Sequence, residues 1–264
     1  MLRIGGVASA SHMAVFQGLA KHFRRQGIDL DWVLYSNYDA LVDAFVAKEI
    51  DLAWNGPLSY VKIKRRLTDP CQVVAMRDVD VDFLTQFITR SDSDIATVED
   101  LRGKRFAFGS RGSVQAGLFA YYFLKQVGIN PRHHLAACTF YEERQPTSRS
   151  DERDVIDRVG KGEYDAGAVS QRTLEVMEGE GTLPENSIRV FWSSPGYSHC
   201  CFTAQNDMDA ALSKKITQAF LSVDRTDPVG KAVLEGEGCR AAFVPGTLEG
   251  WEMLEVVAEE EGLI

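Results

Sequence analysis

Hydroxyl and amide side chains recur in this chain just after short apolar runs and just before amphipathic ones. The set comprises Ser9, Ser11 and His12; Tyr38; Asn55 and Ser59; Arg77; Ser110, Ser113 and Gln115; Tyr141; Ser170; and Tyr197 and His199. Neutral donors at a helix start satisfy the oxygens of an anion without needing a paired cation, so the chemistry that suits this set is the binding of a small polar, anionic molecule. Several members have a second reading. Ser11, Asn37 and Ser113 precede helices and fit as plain N-caps. His12 and His199 fit as satisfied structural histidines, and Cys200 and Cys201 as small buried hydrophobes of a strand. Strand alternation sends neighbouring side chains to opposite faces, which sets His199-Cys200 against acting as a base–nucleophile pair. The same alternation places Cys200 with Phe202 toward the core and turns His199 toward the ligand side.

The stretch GSRGSVQAG at 109–117 bridges a strand and a long helix. No Lys-Ser/Thr follows, so it is not a Walker A loop, and its glycines do not reproduce the dinucleotide-binding fingerprint. It can still offer Ser113 and free N–H groups to an oxyanion. At 51–61, DLAWNGPLSYV stops a strand at Asn55-Gly56-Pro57 and restarts at once. Pro suits the first turn of a helix, where its missing N–H costs nothing, so this corner reads as strand, turn and helix start.

The elements that must carry these residues alternate along the chain. LRIGGVA, LDWVLYS, DLAWN, QVVAMR, FLTQFITR, RFAFGS, HLAACTFY, DAGAVS, IRVFWSS and CCFTA read as strands. Helical periodicity fills most of the intervals and closes the chain in two or three helices. His133-His134 reads as loop, and KIKRR at 62–66 as a solvated basic face. Such alternation indicates βαβ units and mainly parallel sheets, whose ligands bind beyond the carboxyl ends of the strands. Helix, acidic residue, strand and polar corner recur at 37–57 and 152–171, which suggests two similar halves.

Composition bounds the rest. The 264 residues are 45% apolar and 25% charged, enough for one large or two modest globular domains. A net charge of −9 argues against a general nucleic-acid or anionic-membrane surface. No segment has the length and apolarity of a membrane span, and the start of the chain reads as a first strand and not as a signal peptide. The five cysteines lack regular spacing and no C-x-x-C pattern occurs, so neither a disulfide framework nor a metal site is expected. No cofactor is expected either.

Taken together, the run SNYDALVDAFVAKEIDLAWNGPLSYV at 36–61, DLRGKRFAFGSRGSVQAG followed by YYFLKQVGINP, GEYDAGAVS, and the closing DPVGKAVLEGEG resemble the PhnD-like family of phosphate, phosphite and phosphonate substrate-binding proteins. The resemblance spans nearly the whole chain. It implies the α/β, two-lobed type 2 periplasmic-binding-protein fold, with a central cleft and two crossover strands that allow hinge closure. Carried over, lobe one is residues 1–83 plus 200–264 and lobe two is 84–199. Ser59 then lies near the ligand, Ser113 and Gln115 donate at a second helix start, Tyr38 and Tyr197 enclose the ligand, and Arg77 pairs with its charge. Two departures stand out. Where the family commonly has Ser-Thr-Ser-Gly, this chain has Ser113-Val114-Gln115-Ala116, which removes two hydroxyls and suits a bare phosphonate less well. The signal peptide or lipoprotein Cys of exported relatives is also missing.

The resemblance therefore leads to one main expectation. The protein binds a small polar, anionic solute in an interlobe cleft, as the solute-binding protein of an ABC-transporter-type family, without catalysis and without membrane insertion. Its partner is an ABC permease if it is exported. Its compartment is the cytoplasm as the sequence stands, or the periplasm if the chain has been trimmed. The alternative is a cytoplasmic enzyme on the same fold, similar to the pyrimidine synthases or to a dehydratase, with His12, His199 and Cys200 as its candidate catalytic residues. SHCCFT at 198–203 resembles the Cys-rich stretch of the pyrimidine synthases.

Overall fold

A computed structural model describes residues 1–67, 71–183 and 186–264. In chain order the first unit opens with β1 (Leu2–Val7), α1 (His12–Arg25), β2 (Leu30–Tyr35), α2 (Tyr38–Val46), β3 (Leu52–Asn55), α3 (Pro57–Arg66) and β4 (Gln72–Arg77). A second unit follows: β5 (Thr85–Arg90), β6 (Arg105–Ala107), α4 (Phe119–Gln126), α5 (Pro131–His134), β7 (Ala137–Thr139), α6 (Asp151–Gly160), β8 (Ala166–Ser170), α7 (Gln171–Gly179) and β9 (Ile188–Ser193). The chain then returns to the first unit with β10 (Cys201–Ala204), α8 (Ala210–Leu221), α9 (Pro228–Gly236), β11 (Phe243–Pro245) and α10 (Glu252–Glu260). Unit 1 is Met1–Asp82 with Tyr197–Ile264, and unit 2 is Phe83–Gly196.

Each unit is built on one sheet, ordered β11-β4-β10-β3-β1-β2 in unit 1 and β7-β6-β8-β5-β9 in unit 2. Both sheets are mixed, which corrects the expectation of mainly parallel pairing. β1 runs parallel to β2 and β3, but β10 lies antiparallel between β3 and β4. In unit 2, β6 is parallel to β7 and β8, while β5 is antiparallel to β8 and β9. The inverted strands β5 and β10 are the first of their unit after the chain changes units, so they enter each sheet without a βαβ crossover to set their direction. The short β11, which pairs antiparallel with β4, was not expected from the sequence. His133-His134 ends the four-residue helix α5 and is not loop.

Aromatic side chains fill both cores. In unit 1 the Trp54 ring stacks on Phe202 at 4.3 Å, and Phe202 in turn meets Phe220 at 4.5 Å. In unit 2 Phe87 packs on Trp192 and Phe106 at 4.5 and 5.3 Å. Each such ring contributes roughly 1.5–3 kcal/mol by leaving water. The KIKRR run is an ion-pair face: Lys62 meets Asp39 at 2.7 Å, Arg66 meets Asp43 at 2.6 Å and Arg65 meets Glu259 at 3.1 Å, while Lys64 pairs with Glu255. Among the described residues no helix is long and apolar enough to cross a membrane.

Candidate functional site

The Asn55-Gly56-Pro57 corner does start a helix. Gly56 is the N-cap of α3 in an extended conformation, Pro57 takes the first turn, and no side chain caps this end. Ser59, in the first turn, is buried, and so is Asn55 at the end of β3. The Asn55 amide donates to Thr203 Oγ1 at 2.8 Å, while its Oδ1 has no protein partner. Tyr38 leans over this corner: a Cβ at Gly56 would sit 3.1 Å from its ring. The start of α1 is similar. Its N-cap Ser11 makes no side-chain cap and its first turn carries no acid. Ser9 and Ser11 are exposed, with hydroxyls 3.5 Å apart, and the His12 N–H donates to Ser9 Oγ at 3.2 Å. The His12 ring bonds back to the Val7 carbonyl through Nδ1. Of the residues with two readings, Asn37 is a cap, accepting from the Ala40 N–H at 2.9 Å.

Unit 2 treats its strand ends differently. The loop after β6 runs into a π-helical turn at Val114–Leu118 before α4 begins. The loop lies so close on this turn that a Cβ at Gly117 would stand 2.1 Å from the Ser110 carbonyl oxygen. Carboxylates take the donors expected for an anion. Asp151 accepts from the Ser110 N–H at 2.7 Å, and Glu142 from the Arg111 N–H at 3.0 Å. Buried Glu152 accepts from Gln115 Nε2 at 2.8 Å and from both the N–H and the hydroxyl of Ser170 at 2.6 Å. Ser113 and Ser170 also cap the turns that follow, through the N–H groups of Ala116 and Thr173. Tyr141 donates its hydroxyl to the Ser148 carbonyl at 2.8 Å. Asp151 and Glu152 look in the sequence like ordinary first-turn acids of α6, and nothing in their spacing signals this reach.

A third set, all of unit 1, gathers where β4 ends and β10 begins. Arg77 forks onto Asp80, with Nε to Oδ2 at 2.5 Å and Nη2 to Oδ1 at 2.8 Å, and sends Nη1 to the Glu237 carbonyl at 2.7 Å. Its guanidinium is thus engaged inside the unit by Asp80 and the Glu237 carbonyl. His199 is buried, its Nδ1 3.2 Å from Asp80 Oδ1 and 3.1 Å from Cys200 Sγ. The expected opposition of His199 and Cys200 fails because β10 starts only at Cys201, so alternation does not extend back to His199. Tyr197 is also buried and lies 6.4 Å from the His199 ring. Burial alone would raise the Asp80 pKa, but Arg77 and His199 hold it down at about 2. Burial alone would lower that of His199, but Cys200 and Asp80 raise it to about 9. Burial pushes Glu237 up to about 7 against the pull of Arg77. The cluster is not assembled as a nucleophilic triad, because thiol and carboxylate approach the same imidazole nitrogen, whereas a proton relay uses opposite ones.

Comparison with known proteins gives these features a context. A phosphite-binding protein of Prochlorococcus marinus, described as probable ABC transporter phosphite binding protein PhnD1, is 25% identical over 249 residues, covering 89% of this chain and 81% of its own. The phosphate-import protein PhnD of Mycolicibacterium smegmatis is 23% identical over 241 residues, covering 88% of this chain and 74% of its own. The crystal structure of PhnD1 from Prochlorococcus marinus in complex with methylphosphonate superposes with a TM-score of 0.73 at 23% identity, covering 100% of this chain and 98% of that one. The fold is therefore that of the type 2 periplasmic binding proteins. Residues 7–251 match the family described as ABC transporter, phosphonate, periplasmic substrate-binding protein, and the chain belongs to that family.

Proposed function

We propose that this protein captures a small oxyanion of the phosphonate, phosphite or phosphate class on the periplasmic side and presents it to an ABC permease. Ser9, Ser11 and Ser59 of unit 1 are its primary donors. The observation that carries the assignment of donors is the start of α3, a ten-residue helix with no side-chain cap and with buried Ser59 in its first turn. A helix start of this kind concentrates positive potential and N–H groups where an anion's oxygens would sit. Family membership supplies the ligand class, because the similar proteins named above bind or import phosphite, phosphate or methylphosphonate.

Calorimetric titration with phosphite, methylphosphonate and phosphate tests this reading. One of them should bind saturably with one site per chain. Ser59→Ala should weaken that anion by about tenfold or more, since a hydrogen bond to a charged group is worth about 1.5–3 kcal/mol. If none of the three binds, the ligand class is wrong. If one binds and Ser59→Ala leaves its affinity unchanged, the donor assignment is wrong.

A further inference from the structure

We propose that Asp80, His199 and Cys200 form a binding site for one divalent first-row transition-metal ion. The site lies wholly in unit 1 and does not depend on the oxyanion reading. Its ligand atoms come from two stretches 119 residues apart, held together by the sheet. β4 and β10 are antiparallel neighbours, with Phe202 opposite Ala75, so the turn after β4 and the segment entering β10 lie at the same sheet end. A backbone bond from the His199 N–H to the Asp80 carbonyl at 3.0 Å fixes the two segments to each other. The arrangement therefore rests on backbone pairing and not on the chance meeting of flexible side chains.

The geometry fits a metal centre. One ligand atom from each residue, a carboxylate oxygen, an imidazole nitrogen and a sulfur, lies within 4.8 Å of the other two. Around a tetrahedral ion, with bonds of about 2.0–2.1 Å to N and O and about 2.3 Å to S, ligand atoms stand roughly 3.3–3.6 Å apart. The observed separations from Nδ1, 3.2 Å to oxygen and 3.1 Å to sulfur, need only a few tenths of an ångström of widening. An imidazole, a thiolate and one carboxylate favour zinc-like or ferrous-like ions over magnesium or calcium, which prefer all-oxygen sets. Three protein ligands leave a fourth position for water or a solute group.

The surroundings agree. Arg77 donates to both oxygens of Asp80 and so orients the carboxylate, the part that outer-shell partners commonly play at metal sites. Nearby Glu237 is 4% exposed, and its Oε1 has no protein partner. A metal ligand must be deprotonated, so Asp80 and a Cys200 thiolate would together bring two negative charges to a divalent ion. Cys200 is only half-buried, which gives an ion an approach.

The test uses the full chain, free of any affinity tag, titrated with Co2+ and, separately, with Zn2+. One equivalent of Co2+ should bind with a thiolate-to-cobalt charge-transfer band. Cys200→Ser should abolish that band and Cys138→Ser should retain it. His199→Gln and Asp80→Asn should each weaken Zn2+ by at least about tenfold. X-ray absorption on the Zn2+-loaded natural chain keeps the test decisive if a variant fails to fold: one sulfur and otherwise light-atom neighbours support the site. Absence of stoichiometric binding, a band that survives Cys200→Ser, or a zinc shell without sulfur would overturn the proposal.

Discussion

The two units put the same kinds of residue at the ends of their strands and then use them in opposite ways. In unit 1 the N-cap residues of α1 and α3, Ser11 and Gly56, make no side-chain cap, and the buried carboxylate of Asp80 is engaged by Arg77. In unit 2 the equivalent donors, the Ser110 and Arg111 N–H groups, Gln115 and Ser170, are engaged by Asp151, Glu142 and Glu152. A carboxylate on such donors does electrostatically what a bound oxyanion would do. The difference teaches that a donor's place at a strand end does not settle whether it is available. What settles it is which acids the chain folds back onto it.

The largest expected effect probes the charge pairing inside unit 1. Asp80→Ala leaves the Arg77 guanidinium buried without its partner and should cost about 3–5 kcal/mol in a urea-unfolding measurement. A loss under about 1 kcal/mol would mean that unit 1 does not depend on this pairing.

Next comes Glu237. Its folded pKa, near 7, lies above its ordinary 4.5, so between those values the folded chain holds a proton that the unfolded chain has released. Stability should therefore decline as pH rises from about 4.5 to 7 and stay low above that. Glu237→Gln should flatten the decline and raise stability at about pH 8 by up to about 3 kcal/mol. Unchanged slopes in unfolding curves collected across that range would show that Glu237 is not held protonated.

Glu152→Gln attacks the comparison directly. It should destabilise the chain by about 2 kcal/mol, through loss of charge-assisted bonds from Ser170, while tightening oxyanion binding about tenfold by removing a competing carboxylate. Calorimetry that showed weaker anion binding would instead make Glu152 part of the recognition surface. The smallest effect is expected from Ser113→Ala, about 1 kcal/mol of stability through the lost cap on Ala116. An accompanying fall in affinity would make the hydroxyl a ligand contact as well as a cap.

Much of this was legible in the sequence, for identifiable reasons. Gly and Pro punctuation marks the β3–α3 corner, and the apolar periodicity of residues 12–25 and 210–221 marks α1 and α8. Strand direction was not legible, because a short apolar run such as CFTA reads the same parallel or antiparallel. β11 was hidden by its three-residue length and its terminal Pro. The site was legible as a set of residue types but not as a set of partners. The Ser110–Asp151 and His199–Asp80 contacts span 41 and 119 residues, and only the folded sheets bring them together. Cys200 packs against the core that holds Phe202, as alternation expects, but alternation does not reach back to His199, two residues before β10 begins, and its ring meets Cys200 Sγ.

The five free cysteines have a practical side. Cys71, Cys201 and Cys239 are buried, whereas Cys138 in unit 2 and Cys200 in unit 1 are each only half-buried. A thiol-reactive dye in limited amount would therefore modify those two first and leave one label on each unit of the unaltered chain. Energy transfer between the labels would follow the separation of the units as solute is added. Zinc added beforehand would shield Cys200 and leave Cys138 reactive, so the labelling pattern alone would report whether the metal had bound.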